Sequence, residues 1–282
     1  MLKTRVLTAA VALPLALALL IYGPSKLLLP IFALLVAVGT YEVAAMLAPR
    51  LEGIFKSGSL AAPIVKDYTK WPVYVAALIA AAIFVFSAGD THAAGRGMIL
   101  LGLLGSLLVG CFFSKNNELA FANVACLLIS ITYGAFPWLC VWELYVLGER
   151  ALYVIFLVAV VWSGDTGAYF AGRRFGRHKL APRMSPNKTI EGALAGLLSS
   201  VLAGGLLYLG YRSSFSGWQE VLTAAFFGGI FGQMGDLVES TLKRFSHVKD
   251  SGVLFPGHGG LLDRVDGVLF AAPVIWFVFY VM

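Results

Sequence analysis

Residues 151–172 read ALYVIFLVAVVWSGDTGAYFAG, an apolar run long enough to cross a lipid bilayer as a helix. The only charged residue in the run is Asp165, which lies about 10 Å of helix before the basic loop that follows. An unpaired carboxylate at that depth in a membrane is costly. The run therefore predicts a transmembrane helix whose acid either pairs with a basic residue of another helix or takes part in function.

The rest of the 282-residue chain has the same apolar character. Hydrophobic residues make up 59% of it and charged residues 13%, whereas soluble domains are about one-quarter charged. This composition predicts an all-α polytopic membrane protein, with residues 1–282 as a single membrane domain. Runs of spanning length predict nine transmembrane helices, near residues 6–22, 27–48, 72–89, 97–113, 119–136, 151–172, 192–211, 220–242 and 265–282.

Two segments between these runs need separate interpretation. Residues 49–71 are polar and broken by prolines, which predicts a cytoplasmic loop. Residues 137–150 carry Glu143 and are too short to cross a bilayer. They either extend the fifth helix or lie at the membrane interface.

The 21 Lys and Arg residues are distributed unevenly about the nine predicted helices. With the N-terminus placed inside, seventeen fall in the inner loops and only four in the outer ones, namely Lys26, Arg96, Arg150 and Arg212. This bias favours a cytoplasmic N-terminus and a C-terminus outside. The net charge of +6 is then explained by membrane orientation. We therefore expect no nucleic-acid partner.

A basic loop between the sixth and seventh predicted helices holds the first group of candidate ligand contacts. Ser185 or Asn187 is expected to cap the seventh helix, with Glu191 in its first turn. A helix N-terminus beside Lys188 and the Thr189 hydroxyl is also a suitable phosphate site. The two interpretations are compatible.

A second polar group lies at the cytoplasmic end of the eighth predicted helix. Asp236, Glu239, Ser240 and Lys243 are spaced i, i+3, i+4, i+7 and line one helix face. At the end of a membrane helix, such a stripe must face protein or a water-filled cavity.

A glycine turn, residues 256–260, leads from that helix to a pair of aspartates. Its glycines permit positive φ and a close approach of backbone to a ligand. Asp263 and Asp266 follow, three residues apart on one helical face. Two carboxylates held that close repel each other unless a cation lies between them, and Mg²⁺ prefers such oxygen ligands. A capping pair would explain one of these aspartates, but not the other acidic residues as well.

These residues together resemble a known enzyme family. The segments STLKR at 240–244, Lys249-Asp250 and PGHGGLLDRVD at 256–266 are similar to the signature of the phosphatidate cytidylyltransferases, also called CDP-diacylglycerol synthases. Residues 165–169 and 185–192 resemble the same family, so the likeness covers about the C-terminal half.

The resemblance implies an enzyme of phospholipid biosynthesis, a nucleotidyltransferase that moves CMP from CTP to phosphatidate and releases pyrophosphate. It implies Mg²⁺ as cofactor, with room for a second cation, and CTP, phosphatidate and membrane lipids as partners. The bacterial cytoplasmic (inner) membrane is the expected location, with the active site facing the cytoplasm. Residues 151–282 are the expected catalytic half. Residues 1–150 are expected to act as scaffold and to offer the contacts of a homodimer.

Three overlapping sets of residues are expected to carry the reaction. The metal ligands are Asp165, Asp236, Glu239, Asp263 and Asp266. The catalytic set comprises Asp236, Lys249, His258, Asp263 and Asp266. The substrate-binding set comprises Tyr169, Ser185, Lys188, Thr189, Ser240, Lys243, Arg244, Gly259, Gly260 and Arg264. For His258, phosphate contact is favoured over a general-base role, because phosphatidate is already anionic at neutral pH.

Two other functions remain open from the sequence alone. A CTP-dependent polyprenol kinase would need similar residues, since it also combines Mg²⁺, CTP and a lipid acceptor. An ion-coupled transporter is suggested by Asp165 and Glu143 in apolar surroundings. Transport sites tend to lie near the bilayer midplane, however, whereas the polar groups here gather at one rim.

Overall fold

The computed structural model describes residues 17–59, 64–66, 68–88, 93–147, 151–255 and 259–282. We label the helices α1 Ser25–Ser57, α2 Trp71–Ala88, α3 Ala93–Phe112, α4 Asn117–Gly134, α5 Phe136–Leu147, α6 Leu152–Phe175, α7 Ile190–Gly210, α8 Trp218–Phe245 and α9 Leu262–Val281. A short 3₁₀ helix, Arg212–Ser214, follows α7. Between α6 and α7 the chain forms an antiparallel hairpin of β1 Lys179–Ala181 and β2 Ser185–Thr189.

Within the described ranges, seven helical segments are long and apolar enough to cross a membrane. They are α1, α2, α4 with α5, α6, α7, α8 and α9, and α3 contributes a shorter apolar stretch, Ile99–Phe112. The prediction of an all-α polytopic membrane protein is confirmed. The first predicted helix, 6–22, lies mostly outside the described residues. The total of nine helices and the orientation of the termini stay predictions.

Helix α1 is longer than the sequence pattern predicted. It continues through Pro49 to Ser57 and ends at Gly58, whose φ of 67° is left-handed. The predicted loop over 49–71 was therefore wrong for its first part. A membrane helix tolerates proline when neighbouring groups satisfy the backbone. The buried acid in this last part is also satisfied, because Glu52 accepts a hydrogen bond from the Thr69 amide at 2.7 Å and pairs with Lys56 at 2.6 Å.

The segment after α4 is also helical. Helix α5 begins directly after Ala135, the residue that caps the C-terminal end of α4. Residues 136–147 form one apolar helical segment with α4, Asn117–Leu147, and residues 148–150 lie outside the described part of the chain. The choice between extension of the fifth helix and a position at the membrane interface stays a prediction.

Residue contacts divide the protein into two compact units. The N-terminal unit comprises Met1–Leu139 and Leu242–Asp263, and the C-terminal unit comprises Cys140–Thr241 and Arg264–Met282. In the N-terminal unit, α1 packs on α2 and α4, and Phe32 contacts the rings of Phe84 and Trp138. These units do not test the predicted roles of residues 1–150 as scaffold and of residues 151–282 as the catalytic half, which stay predictions.

Helices α6 and α7 pack closely within the C-terminal unit because small residues line their contact. A methyl group on Gly164 would collide with the Ser200 hydroxyl, and one on Gly167 would collide with the Ser199 hydroxyl. Ser200 also donates a hydrogen bond to the Val160 carbonyl at 2.8 Å. Such stripes let membrane helices approach. Asp165, which lies between the two glycines, is therefore carried on a tightly held part of α6.

Candidate active site

The C-terminal unit contains a group of charged and polar residues that we call the Asp236 cluster: Asp165, Lys188, Asp236, Ser240 and Asp266. The Lys188 ammonium lies 2.7 Å from Asp236 Oδ2 and donates to the Gln233 carbonyl at 3.4 Å. Ser240 donates to Asp236 Oδ1 at 3.3 Å. The end of β2 is thus joined to α8 through a partly exposed ion pair.

Asp165 and Asp266 are included in this cluster because Asp165 interacts electrostatically with Asp266, Asp236 and Lys188. Asp165 is repelled by Asp266 and Asp236 and is attracted by Lys188. Asp165 therefore lies within electrostatic reach of two other carboxylates, and Lys188 offsets part of that repulsion. Electrostatic repulsion of this kind is relieved by a cation with a preference for oxygen ligands.

Mg²⁺ fits the chemistry of this donor set. Among the residues that the structure describes, no three Asp, Glu, His or Cys side chains form a ready-made ion cage. Mg²⁺ does not require one, because it usually binds one or two carboxylates together with the phosphates of a substrate. The assignment of Asp236, Asp266 and Asp165 as metal ligands stays a prediction.

The hairpin before α7 fixes the position of Lys188. Thr189, and neither Ser185 nor Asn187, caps α7, because its hydroxyl oxygen accepts a hydrogen bond from the Gly192 amide at 3.2 Å. The predicted caps were wrong because Ser185–Thr189 pairs with β1 as a strand. Glu191, in the first turn as predicted, accepts hydrogen bonds from the Arg177 amide at 3.0 Å and from the His178 ring at 2.6 Å. The strand pairing leaves Lys188 two residues before the start of α7 at Ile190.

Within the C-terminal unit, α8 and α9 approach closely at Gly235, next to Asp236. A methyl group added to Gly235 would lie 2.6 Å from the Asp266 carbonyl oxygen and 2.7 Å from Phe270 Cβ. The Asp266 carbonyl belongs to the backbone of a helix, so it cannot move aside as easily as the end of a side chain. The glycine therefore allows the segments that carry Asp236 and Asp266 to lie side by side.

We expect Gly235→Ala to destabilise the protein by about 1–3 kcal/mol through overpacking. The matched control is Gly205→Ala on α7, where the nearest atom, Leu222 Cδ2, would be 3.9 Å from the new methyl group. The control should be neutral or slightly stabilising, because alanine favours helix over glycine. Thermal unfolding in detergent micelles checks both variants. Equal unfolding midpoints would show that the approach at Gly235 is not tight.

The N-terminal unit contains a second group, which we call the Asp263 cluster: Glu42, Lys243, Ser251 and Asp263 with the backbone of residues 259–262. Lys243 donates to Asp263 Oδ1 at 2.7 Å. Asp263 Oδ2 accepts hydrogen bonds from the Ser251 and Gly260 amides, both at 2.8 Å, and lies 3.0 Å from the Ser251 hydroxyl, whose one proton it shares with Glu42. Both carboxylate oxygens thus have protein partners, and the metal role of Asp263 stays a prediction.

Gly259 and Gly260 have a clear structural role beside Asp263. Gly259 has a φ of +85°, and an added methyl group would collide with the Asp263 carboxylate. At Gly260, an added methyl group would collide with the Ser251 hydroxyl and would lie 2.5 Å from the Glu42 carboxylate oxygens. The glycines let the backbone approach protein carboxylates, and their predicted substrate contact is untested.

The remaining predicted residues differ in their exposure. Glu239 is 1% exposed on α8. Tyr169 is exposed on α6, where its hydroxyl accepts a hydrogen bond from Arg173 at 3.3 Å. The basic residues Arg244, Lys249 and Arg264 are all exposed. His258 lies outside the described residues. All of these assignments stay predictions.

The sequence interpretation missed Glu42, although a signal was present. Glu42 is 5% exposed and accepts hydrogen bonds from the Leu261 amide at 2.9 Å, the Leu262 amide at 3.0 Å and the Ser251 hydroxyl at 3.0 Å. An acid in the middle of an apolar run is costly and marks a role by default. Ser251 and Gln233 also contact residues of the two clusters, but nothing in the sequence pattern distinguished them from other polar residues.

Comparison with known proteins agrees with the motif resemblance. The sequence profile of the Cytidylyltransferase family matches residues 3–282. A phosphatidate cytidylyltransferase of Staphylococcus haemolyticus is 34% identical over 274 residues, 97% of each chain. One of Bacillus subtilis is 38% identical over 181 residues, 64% of this chain and 65% of its own. One of Staphylococcus epidermidis is 41% identical over 161 residues, so the match spans 57% of this chain and 61% of that relative. The chain belongs to the Cytidylyltransferase family.

Proposed function

We propose that the protein is a phosphatidate cytidylyltransferase, which converts CTP and phosphatidate into CDP-diacylglycerol and pyrophosphate. The observation that carries the proposal is the Asp236 cluster, in which three carboxylates and Lys188 come together in a chain of the Cytidylyltransferase family. The carboxylates suit a divalent cation and the lysine suits phosphate oxygens, so the site fits a phosphate ligand that binds together with a cation. Relatives with this activity support the same substrates.

The reaction is a displacement at phosphorus. A phosphate oxygen of phosphatidate attacks the α-phosphorus of CTP, the bond from that phosphorus to the bridging oxygen breaks, and pyrophosphate leaves with the electron pair. Phosphatidate is already anionic, so the attack needs little general-base help. Catalysis then depends on positioning and on neutralising charge.

The residues of the Asp236 cluster supply those two effects. Lys188 provides a cation for phosphate oxygens, and its ion pair with Asp236 keeps the ammonium in place before substrate binds. Asp165, Asp236 and Asp266 would hold Mg²⁺, which neutralises the charge of the triphosphate when bound. Lys243, Arg244, Lys249 and Arg264 are the further basic residues proposed for phosphate contact.

The membrane location follows from the nature of the substrate. The acyl chains of phosphatidate stay in the bilayer, so the enzyme must meet the headgroup at the membrane surface. We assign the active site to the cytoplasmic face of a bacterial inner membrane, since the predicted topology puts the basic loops there. CTP is then available from the cytoplasm.

An acceptor assay tests the proposal. Purified protein in micelles receives labelled CTP, Mg²⁺ and either phosphatidate or a polyprenol. We expect a CDP-lipid and pyrophosphate with phosphatidate, and no product with the polyprenol. A phosphorylated polyprenol, with no CDP-lipid from phosphatidate, would overturn the proposal in favour of the kinase.

A further inference from the structure

Glu42 is a buried acid whose partners all lie far away in the chain. Its carboxylate is held in the N-terminal unit by two backbone amides, those of Leu261 and Leu262, and by the Ser251 hydroxyl. Burying an ionised carboxylate is costly unless it is fully hydrogen-bonded. Three donors at 2.9–3.0 Å meet that requirement.

These donors include the orphan amides at the start of α9. The first amides of a helix have no partner within the helix, and a nearby polar side chain usually accepts from them. Leu261 and Leu262 are apolar, so Glu42 of α1 performs this task from 219 and 220 residues away. A carboxylate also interacts favourably with the positive end of the helix dipole.

The same carboxylate is linked to Asp263 through Ser251. The Ser251 hydroxyl lies 3.0 Å from Glu42 Oε2 and 3.0 Å from Asp263 Oδ2. Lys243 then binds the other oxygen of Asp263. The chain of contacts Glu42–Ser251–Asp263–Lys243 therefore connects a helix of the N-terminal half to two predicted site residues.

The backbone around Glu42 is shaped to its carboxylate. An added methyl group at Gly252 would lie 2.5 Å from Glu42 Oε1, and one at Gly260 would meet both oxygens at 2.5 Å. Gly252 and Gly260 therefore both leave room for the Glu42 carboxylate.

We propose that Glu42 is a positioning residue for nucleotidyl transfer. It fixes the turn at residues 259–262 and so sets the orientation of Asp263 and Lys243. This inference rests on the proposed function. A misplacement of about 1 Å in a reacting site costs about 100-fold in rate, so a loosened turn should reduce turnover strongly.

The test compares Glu42→Gln with Glu52→Gln. Glu52 is a matched control because it lies on the same helix, is 3% exposed and also accepts a backbone amide, that of Thr69 at 2.7 Å. We expect Glu42→Gln to lower kcat by about 30–100-fold with a much smaller change in KM for CTP. Hydrogen exchange at the Leu261 and Leu262 amides should become faster. Glu52→Gln should change neither kcat nor that exchange.

Ser251→Ala gives a second variant in case Glu42→Gln does not fold. It removes the bridge to Asp263 and should also lower kcat. In the double variant the two losses should not add, because both act through one contact chain.

The outcomes separate two failures. If the wild-type protein makes no CDP-lipid, the proposed function is wrong. If the wild type is active and both Glu42→Gln and Ser251→Ala keep its kcat, the positioning role is wrong. A loss of thermal stability with unchanged kcat per folded protein would reduce Glu42 to a structural cap and would also overturn the inference.

Discussion

Asparagine in place of Asp236 is expected to lower CDP-diacylglycerol formation by about 1,000-fold. The substitution removes a proposed ligand of Mg²⁺, whose charge stabilisation is worth several kcal/mol, and each 1.36 kcal/mol corresponds to about tenfold in rate. It also removes the partner of Lys188 at 2.7 Å. Initial rates in mixed micelles, with wild-type and variant protein at equal folded concentration, measure the effect.

A control on the same helix separates this loss from damage to α8. Glu220 is 3% exposed at the start of α8 and accepts a hydrogen bond from the Ser216 amide at 2.9 Å. Glu220→Gln should retain activity within about threefold, because the residue lies at the other end of the helix. Full activity of Asp236→Asn with an unchanged Mg²⁺ dependence would exclude Asp236 as a ligand.

Removal of divalent cations is expected to abolish activity. In the Asp236 cluster Asp165 is repelled by Asp236 and Asp266, and the triphosphate of CTP would add negative charge that a divalent cation neutralises. We expect treatment with excess chelator to reduce product formation below detection and added Mg²⁺ to restore it. The measurement is the rate against free Mg²⁺ concentration.

The same titration also tests which residues hold the ion. Asp266→Asn should need a higher Mg²⁺ concentration for half-maximal rate, whereas Glu220→Gln should not. Activity that persists in chelator, after dialysis against the same chelator, would contradict a metal-dependent mechanism.

Most of the fold was predictable because it depends on the length of apolar runs. The run at 151–172 became α6, Leu152–Phe175, and the final run became α9, Leu262–Val281. Prediction failed where polar residues continue a helix, as in the last part of α1. There the proline and the charges at residues 49–56 indicated a loop, but contacts distant in sequence satisfy Glu52.

The residues of the candidate site could be predicted from the sequence, but only some of the contacts between them could. Spacing correctly put Asp236 and Ser240 on one face of α8, where they share a hydrogen bond. Spacing alone could not reveal that Lys243 pairs with Asp263 or that Lys188 pairs with Asp236. Such ion pairs depend on tertiary contacts. The hairpin at 179–189 was missed because its strands are three and five residues long.

The fate of the individual phosphates of CTP tests nucleotidyl transfer most directly. Purified protein is given phosphatidate with CTP labelled at either the α- or the γ-phosphate, and the lipid and aqueous phases are separated. We predict that the α-label enters the lipid, that the γ-label leaves as pyrophosphate, and that the two products form in equal amounts. A γ-label in the lipid with the α-label remaining in aqueous CDP would contradict nucleotidyl transfer and would identify a kinase.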